Sequence, residues 1–223
     1  MAKHTQEPST RAETLLFGML LIFIGGYLEA YSYIGRGHVF ANGQTGNMAL
    51  FGMHFMAGNW QKAWRYFVPI PCFAAGVFLA DTMKAAAWKQ RQLHWQQAVL
   101  LLEALFLCGT AFIPAGNTDI YANMVIAVIC GLQIEAFRKM KGYAYATTMC
   151  TGNLRSATEA LFHAVCLKEP GETEKAKHYI SVITLFILGA VVGGKCTEIF
   201  GIWSSLFCLF PLCICIFLLY EKE

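Results

Sequence analysis

Two short polar runs carry the residue types that could bind a small solute. Residues 41–47 end in a Thr-Gly-Asn triplet, and the same triplet recurs 106 residues later at residues 151–153. Glycine permits close backbone approach, and Thr and Asn side chains cap helix starts. The N–H groups at such a start carry about half a positive charge, which suits an anion or a polar neutral solute. The residues predicted to bind solute are Gln44, Thr45, Gly46, Asn47, Thr151, Gly152 and Asn153. The alternative is that Thr and Asn only satisfy backbone groups at a buried break in a helix.

An acid precedes each polar run at the same distance. Glu29 and Glu135 lie 106 residues apart, each inside an apolar segment. A carboxylate in a membrane span costs about 2.5–3.5 kcal/mol on insertion scales unless it is paired or hydrated. Two roles are open for this pair: proton coupling, or a structural hydrogen bond that holds the nearby break.

Other polar residues near these runs are secondary candidates. Arg155, Glu159 and His163 recur every four residues and therefore share one helical face, whereas their first-half counterparts are apolar. Such a stripe could line a vestibule or carry protons; the alternative is an internally paired interface. Arg36 lies in a glycine-rich break, and Glu103 is an acid within an apolar run.

Composition places the chain among membrane proteins. Of its 223 residues, 57% are hydrophobic and only 14% are charged, and the mean hydropathy is +0.47. Soluble domains have about a quarter of their residues charged. Several apolar runs of roughly 20 residues are long enough to span a bilayer. The net charge of +3 comes from short basic clusters between apolar runs, which is typical of membrane orientation and not of nucleic-acid binding.

The sequence offers no pattern for catalysis or metal binding. The nine cysteines lie in or beside apolar runs without a CxxC pair, so we expect them to pack as small apolar side chains. There is no serine nucleophile elbow, no HExxH and no phosphate-binding loop. We therefore expect no enzyme activity, no cofactor and no metal.

Internal identities extend the triplet into a repeat. Six positions match at an offset of 106 and six more at an offset of 113, in the same order, so an internal duplication is the better interpretation. The first set pairs Gly25, Glu29, Ala30, Thr45, Gly46 and Asn47 with Gly131, Glu135, Ala136, Thr151, Gly152 and Asn153. The second pairs Lys62, Ala63, Tyr66, Ile70, Phe73 and Gly76 with Lys175, Ala176, Tyr179, Ile183, Phe186 and Gly189.

Basic residues decide between two topologies, because cytoplasmic loops retain most Lys and Arg. With eight spans they divide evenly; with six, twelve lie inside and four outside. We therefore expect an all-α membrane protein with six transmembrane helices, two short broken or re-entrant helices, two inverted repeats and both termini cytoplasmic. The predicted spans are 14–34, 67–87, 95–113, 120–137, 179–195 and 199–220. The predicted domains are a cytoplasmic tail (1–13), a first repeat (14–94), a linking span (95–117), a second repeat (118–198) and a final span and tail (199–223).

The segment GGYLEAYSY at residues 25–33, followed by GHVFANGQTGN at residues 37–47, resembles the hallmark of the YoaK-type family. These are bacterial multi-pass membrane proteins classed under a domain of unknown function. The family commonly has Asp at the position of Glu29 and Ala or Ser at that of Gly43, so this chain keeps an acid and a small residue. The resemblance implies a bacterial cytoplasmic-membrane location and supplies no activity.

The function predicted from the residues is a passive or proton-coupled carrier or channel for a small polar or anionic solute. Inverted repeats whose broken helices meet at mid-depth are an architecture of secondary transporters. We therefore expect the two triplets to lie close together, each beside its own glutamate. The alternative is a non-transporting membrane scaffold or accessory subunit. The expected partners are the lipid bilayer and a small solute, with homo-oligomer formation left open and nucleic acid excluded.

Overall fold

The computed structural model describes residues 12, 14–90, 95–140, 143–147 and 150–220. Within these ranges the chain forms nine α-helices and one two-stranded antiparallel hairpin. The helices are α1 (Leu15–Gly35), α2 (Gln44–Met56), α3 (Trp60–Phe67), α4 (Pro69–Gln90), α5 (Trp95–Ala111), α6 (Asp119–Ala136), α7 (Cys150–Phe162), α8 (Glu172–Phe200) and α9 (Leu209–Tyr220). The strands are β1 (Lys139–Met140) and β2 (Tyr143–Ala144). A π-helical turn, His163–Leu167, extends α7, and a 3₁₀ helix, Gly201–Cys208, leads into α9.

Four stretches are long and apolar enough to cross a membrane: Leu15–Gly35, Trp60–Ala87, Asp119–Ala136 and Glu172–Tyr220. Helix α5 is also apolar but has only 17 residues. Large apolar side chains cover the outer surface of these helices, as Phe78 and Leu105 do. An outer surface of this kind suits lipid contact. The protein is therefore an all-α membrane protein.

The predicted spans agree with α1, α5 and α6 to within two residues at each end. Elsewhere the structure differs from the prediction. Helix α2 begins at Gln44, whereas the short helix was expected from residue 48. The aromatic segment before α4 is itself a helix, α3, whose first turn is capped by the Asn59 side chain accepting from the Lys62 N–H at 3.3 Å. Helix α8 runs without interruption to Phe200, where a gap between spans was expected near residue 197.

The most extensive helix contact joins α1 to α8. It is built on glycines that bring the two backbones together, as small residues do between membrane helices. A methyl group on Gly26 would overlap the carbonyl of Phe186, and one on Gly189 would overlap the carbonyl of Phe23. No side chain larger than hydrogen fits at these two positions without moving a helix.

The second most extensive contact joins α4 to α6 and has the same construction. A methyl group on Gly131 would overlap the carbonyl of Phe73, and one on Gly76 would overlap the carbonyl of Val128. Phe73 and Gly76 are the residues matched to Phe186 and Gly189 by the offset of 113. On one side, the two interfaces therefore use matched residues of the sequence repeat, and each joins a helix of the first half to a helix of the second.

These glycine contacts predict a selective loss of stability. Replacing Gly26 or Gly76 with alanine should lower the melting temperature in detergent, because overpacking of a tight contact costs about 1–3 kcal/mol. The matched control is Gly109→Ala in α5, where a methyl group would meet nothing within 4 Å. Thermal unfolding followed by circular dichroism measures the effect. Equal melting temperatures for all three variants would contradict the close-contact interpretation.

Candidate functional site

The first polar run forms a break between α1 and α2, and Glu29 holds it. The Glu29 carboxylate accepts hydrogen bonds from the backbone N–H groups of Asn42 at 2.8 Å and Gly43 at 3.1 Å. These N–H groups immediately precede α2, which begins at Gln44. A negative charge is stabilised at a helix N-terminus by the helix dipole. Of the two roles left open by the sequence, the structural hydrogen bond is therefore present at Glu29.

The Asn47 side chain forms hydrogen bonds to the backbone of the first break. Its side-chain oxygen accepts from the Phe40 N–H at 3.1 Å, and its amide nitrogen donates to the Phe40 carbonyl at 2.6 Å. The same nitrogen donates to Gln44 Oε1 at 3.1 Å, while the Asn42 amide donates to the Gly25 carbonyl at 2.8 Å. The expectation that Thr or Asn of the triplet caps α2 is wrong, because α2 begins before both residues and has no side-chain cap. The buried side-chain amides of Asn42 and Asn47 bond to neighbouring protein groups instead.

Asn153 makes the same pair of bonds at the second break. Its side-chain oxygen accepts from the Ala146 N–H at 3.3 Å, and its amide nitrogen donates to the Ala146 carbonyl at 2.9 Å. Ala146 follows Phe40 by 106 residues, the spacing that also separates Asn153 from Asn47. The sequence match therefore extends to matching hydrogen-bond geometry.

The two glutamates differ in their surroundings. Glu135 pairs with Arg138 at 3.1 Å, on the side of α6 that faces an open cavity. The backbone positions that correspond to Asn42 and Gly43 lie outside the described residues. The repeat thus matches the two acids in sequence. In the structure, Glu29 bonds to backbone N–H groups ahead of α2, whereas Glu135 pairs with the side chain of Arg138.

A cavity of about 940 Å³ lies beside the second break. Its wall includes Gly152, Asn153 and Glu135, together with three basic residues from three segments. These are Lys84 of α4, Arg138 after α6 and Lys139 of β1. Among the described residues of the wall there are three cationic side chains and one carboxylate, which give this part of the wall a net positive charge. Its volume lies within the range of small-molecule sites, about 300–1,000 Å³.

The first break does not line this cavity. Helix α2 packs mainly on α3 and α4, and α7 mainly on α8. Cys150, the first residue of α7, nevertheless lies close enough to Glu29 for the two groups to interact electrostatically. Thr45 and Thr151 are both exposed. The start of α7 therefore approaches the first break, and of the two breaks the second lines the cavity.

The predicted stripe on α7 is exposed and does not pair along its length. Arg155 and Glu159 line a shallow depression of about 580 Å³ on the helix surface. His163 bonds to Glu169 at 2.9 Å, across the π-helical turn. The stripe therefore does not form the internally paired interface that was its alternative interpretation.

Arg36 is the residue whose role the sequence concealed. The six-span topology places Arg36 among the four basic residues outside the membrane, yet its side chain is 0% exposed. Its guanidinium donates to the Tyr31 hydroxyl at 2.9 Å and to the carbonyls of Thr110 at 2.7 Å and Ile113 at 2.8 Å. It also forms an ion pair with Asp119 at 3.3 Å. Arg36 thereby joins the end of α1 to the end of α5 and the start of α6.

The basic residues of the cavity were also missed as site residues. The sequence indicates Lys84, Arg138 and Lys139 only as basic residues of the cytoplasmic side. Their positions in the sequence could have indicated this role, because they lie near the ends of helices that the repeat places beside the second triplet.

The matched asparagine bonds predict matched losses of stability. Asn47→Ala and Asn153→Ala should each lower the free energy of unfolding by about 1–3 kcal/mol, because each leaves a part-buried backbone N–H and carbonyl without a partner. Thr45→Ala, which truncates an exposed side chain beside Asn47, is the control. Denaturant titration in detergent compares the three variants. A loss for Thr45→Ala as large as for Asn47→Ala would argue against the interpretation.

The His163–Glu169 contact predicts a local pH response. The hydrogen bond that His163 donates to the Glu169 carboxylate raises the pKa of His163 above its usual value. The contact therefore contributes fully below about pH 6.5, the ordinary histidine pKa, and is lost as the pH rises through the raised pKa. Glu169→Gln should return the pKa of His163 toward the ordinary value in a histidine NMR titration. Glu159→Gln, which removes a charge without removing that hydrogen bond, should lower it less.

Comparison with known proteins agrees with this membrane architecture. The family model described as "Protein of unknown function (DUF1275)" matches residues 17–219. The UPF0700 transmembrane protein YoaK of Bacillus subtilis (strain 168) is 25% identical over 182 residues, covering 78% of this chain and 79% of the relative. No solved structure matches the chain. Because the family model spans nearly all of the sequence and a transmembrane relative aligns over most of it, the protein belongs to this YoaK-type family, DUF1275.

Proposed function

We propose that the protein moves a small anionic or polar solute across the bacterial cytoplasmic membrane through the cavity beside the second break. The observation that carries this proposal is the cavity itself, whose described lining has three basic residues and one acid at a break in a membrane-embedded fold. Positive side chains raise the local concentration of an anion. The protein acts without a chemical step, as a carrier or channel and not as an enzyme.

Six crossings and two inverted repeats are the topology that this function needs. The stretch Glu172–Tyr220 has 49 residues, which as one helix would be roughly 70 Å long, more than twice the hydrocarbon thickness. Gly201, with a φ of 58°, ends α8 within it. Two crossings here, with α1, α4, α5 and α6, give six. Helices α2 and α7, of 13 residues each, are then too short to cross.

The positions of the basic residues orient the cavity. Lys84, Arg138 and Lys139 belong to the set that six spans place in the cytoplasm. The cavity would then open toward the cytoplasm, with both chain termini on the same side. The first break, whose buried amides bond to protein groups, would close the opposite side. In an alternating-access cycle the two breaks exchange these roles.

The second candidate function is a non-transporting scaffold or accessory subunit. The observation that favours it is the sealed first break, where Asn42 and Asn47 bond to backbone groups and no residue lines the cavity. In that case the cavity would be a surface recess without a route across the membrane. Solute flux separates the two functions.

Flux in proteoliposomes tests the leading function. The purified protein is reconstituted and a panel of small anions and polar neutral solutes is screened, with and without a pH gradient. For any solute that moves, Lys84→Gln or Lys139→Gln should lower the initial rate by about fivefold to tenfold, equivalent to roughly 1–1.4 kcal/mol. Asn47→Ala and Glu29→Gln should lower it as well, because they loosen the first break.

The matched control is Lys195→Gln, which removes the same charge on α8 at a residue outside the cavity wall. Unchanged flux in all the cavity and break variants would show that the proposed route is wrong. No flux for any solute would favour the scaffold.

Cysteine labelling tests the topology on which the orientation rests. In a cysteine-free background, a cysteine at position 84 should react with an impermeant reagent only from the cytoplasmic side, and one at position 195 only from outside. Labelling at position 84 from outside would overturn the six-span arrangement and the inversion of the repeats with it.

A further inference from the structure

Glu103 lies in the middle of α5, and neither the breaks nor the cavity involves it. It stands eight residues from each end of the helix Trp95–Ala111. Its side chain is completely buried, in a core that contains its helix neighbours Leu100 and Leu107. A residue at this place in an apolar helix is as far from either membrane surface as α5 allows.

Both carboxyl oxygens of Glu103 are buried, and neither has a hydrogen-bond partner among the described residues. A buried polar group without a partner is rare in folded proteins and calls for an explanation.

Two thiols lie within electrostatic range of Glu103. They are Cys130 of α6 and Cys215 of α9, and Cys208 of the 3₁₀ helix lies within such range of Cys130. Asp81 and Lys84, the charged residues of α4 whose side chains the structure describes, make no bond to it. No described basic side chain therefore compensates a negative charge at this position.

The buried cation Arg36, near the end of α5, already has other partners. The Arg36 guanidinium bonds to the carbonyl of Thr110, two turns farther along α5, and pairs with Asp119. Cys130 also lies within electrostatic range of Glu29. Of the two acids, Glu29 has hydrogen-bond donors, whereas Glu103 has none among the described residues.

An ionised carboxylate without donors or a counter-charge is far costlier in an apolar interior than a neutral carboxyl group, and such a group neutralises instead. We infer that Glu103 is a proton-binding site at the centre of the membrane domain, occupied by a proton at neutral pH. Glu29 and Glu135, whose carboxylates are bonded to backbone N–H groups and to Arg138, then serve structure. A role for Glu103 as the acid that couples solute movement to protons rests on the proposed function.

Infrared spectroscopy tests the proton site without any transported solute. The carbonyl stretch of a protonated carboxyl group is separate from carboxylate stretches and shifts in heavy water. The spectrum of the reconstituted protein at pH 7 should contain this band, and Glu103→Gln should remove it. Glu29→Gln is the matched control and should retain it.

Titration supplies the second arm of the test. The band should persist well above pH 4.3, the ordinary glutamate pKa. A wild-type band that disappears near that pH, or a band that survives in Glu103→Gln, would overturn the inference. Glu103→Met, an apolar replacement of similar length, shows by its melting temperature that loss of the band is not loss of the fold.

A flux measurement then separates this inference from the proposed function. If the wild-type protein moves a solute faster with a pH gradient, Glu103→Gln should abolish that acceleration and keep the basal flux. Acceleration unchanged in Glu103→Gln would overturn the coupling role. Absence of flux in the wild type would defeat the proposed function, while the infrared band would still decide the proton site.

Discussion

The structure depends on one constraint: where a helix is broken inside the protein, its free backbone groups must find partners among neighbouring protein groups, since an unpaired buried N–H or carbonyl is costly. The chain meets this requirement with a few buried polar side chains. Glu29 binds two N–H groups ahead of α2, and Asn47 and Asn153 each bind both polar groups of a residue seven positions earlier. Arg36 binds the free carbonyls at the end of α5. Residues that look like ligands for a solute are thus first of all the partners of the backbone.

Because these polar residues bond to the backbone of other segments, only part of the structure could be predicted from the sequence. The long apolar helices follow from composition, because twenty apolar residues have few folds other than a span. The two breaks follow from the repeat, because matching polar triplets in matching places indicate matching geometry. The start of α2 at Gln44 could not be predicted, since it depends on the reach of the Glu29 side chain from another helix. The burial of Arg36 depends on two helix ends, that of α5 and the start of α6, which are 74 to 83 residues away in sequence.

The sequence also suggested more symmetry than the site has. The triplets and the acids match, but the first break is closed by its own amides and the second borders a positively charged cavity. The basic residues that follow the two helices differ in their surroundings: Arg36, after α1, is buried and paired with Asp119, whereas Arg138 and Lys139, after α6, line the cavity. Two copies of one motif therefore present different environments to a solute. That difference is what an alternating cycle requires, and it is also what a static scaffold would tolerate.

The contact between α1 and α8 has a consequence for biogenesis. Gly26 has its close partner, Phe186, about 160 residues farther along the chain. At the usual synthesis rate of about 5–20 residues per second, that partner emerges roughly 8 to 30 seconds after α1. Throughout this interval α1 is in the membrane without the surface that matches its glycines, and α4 awaits α6 in the same way for a shorter time. The newly made first half is therefore an open half-bundle, which the insertion machinery or lipid has to shelter until the second half arrives.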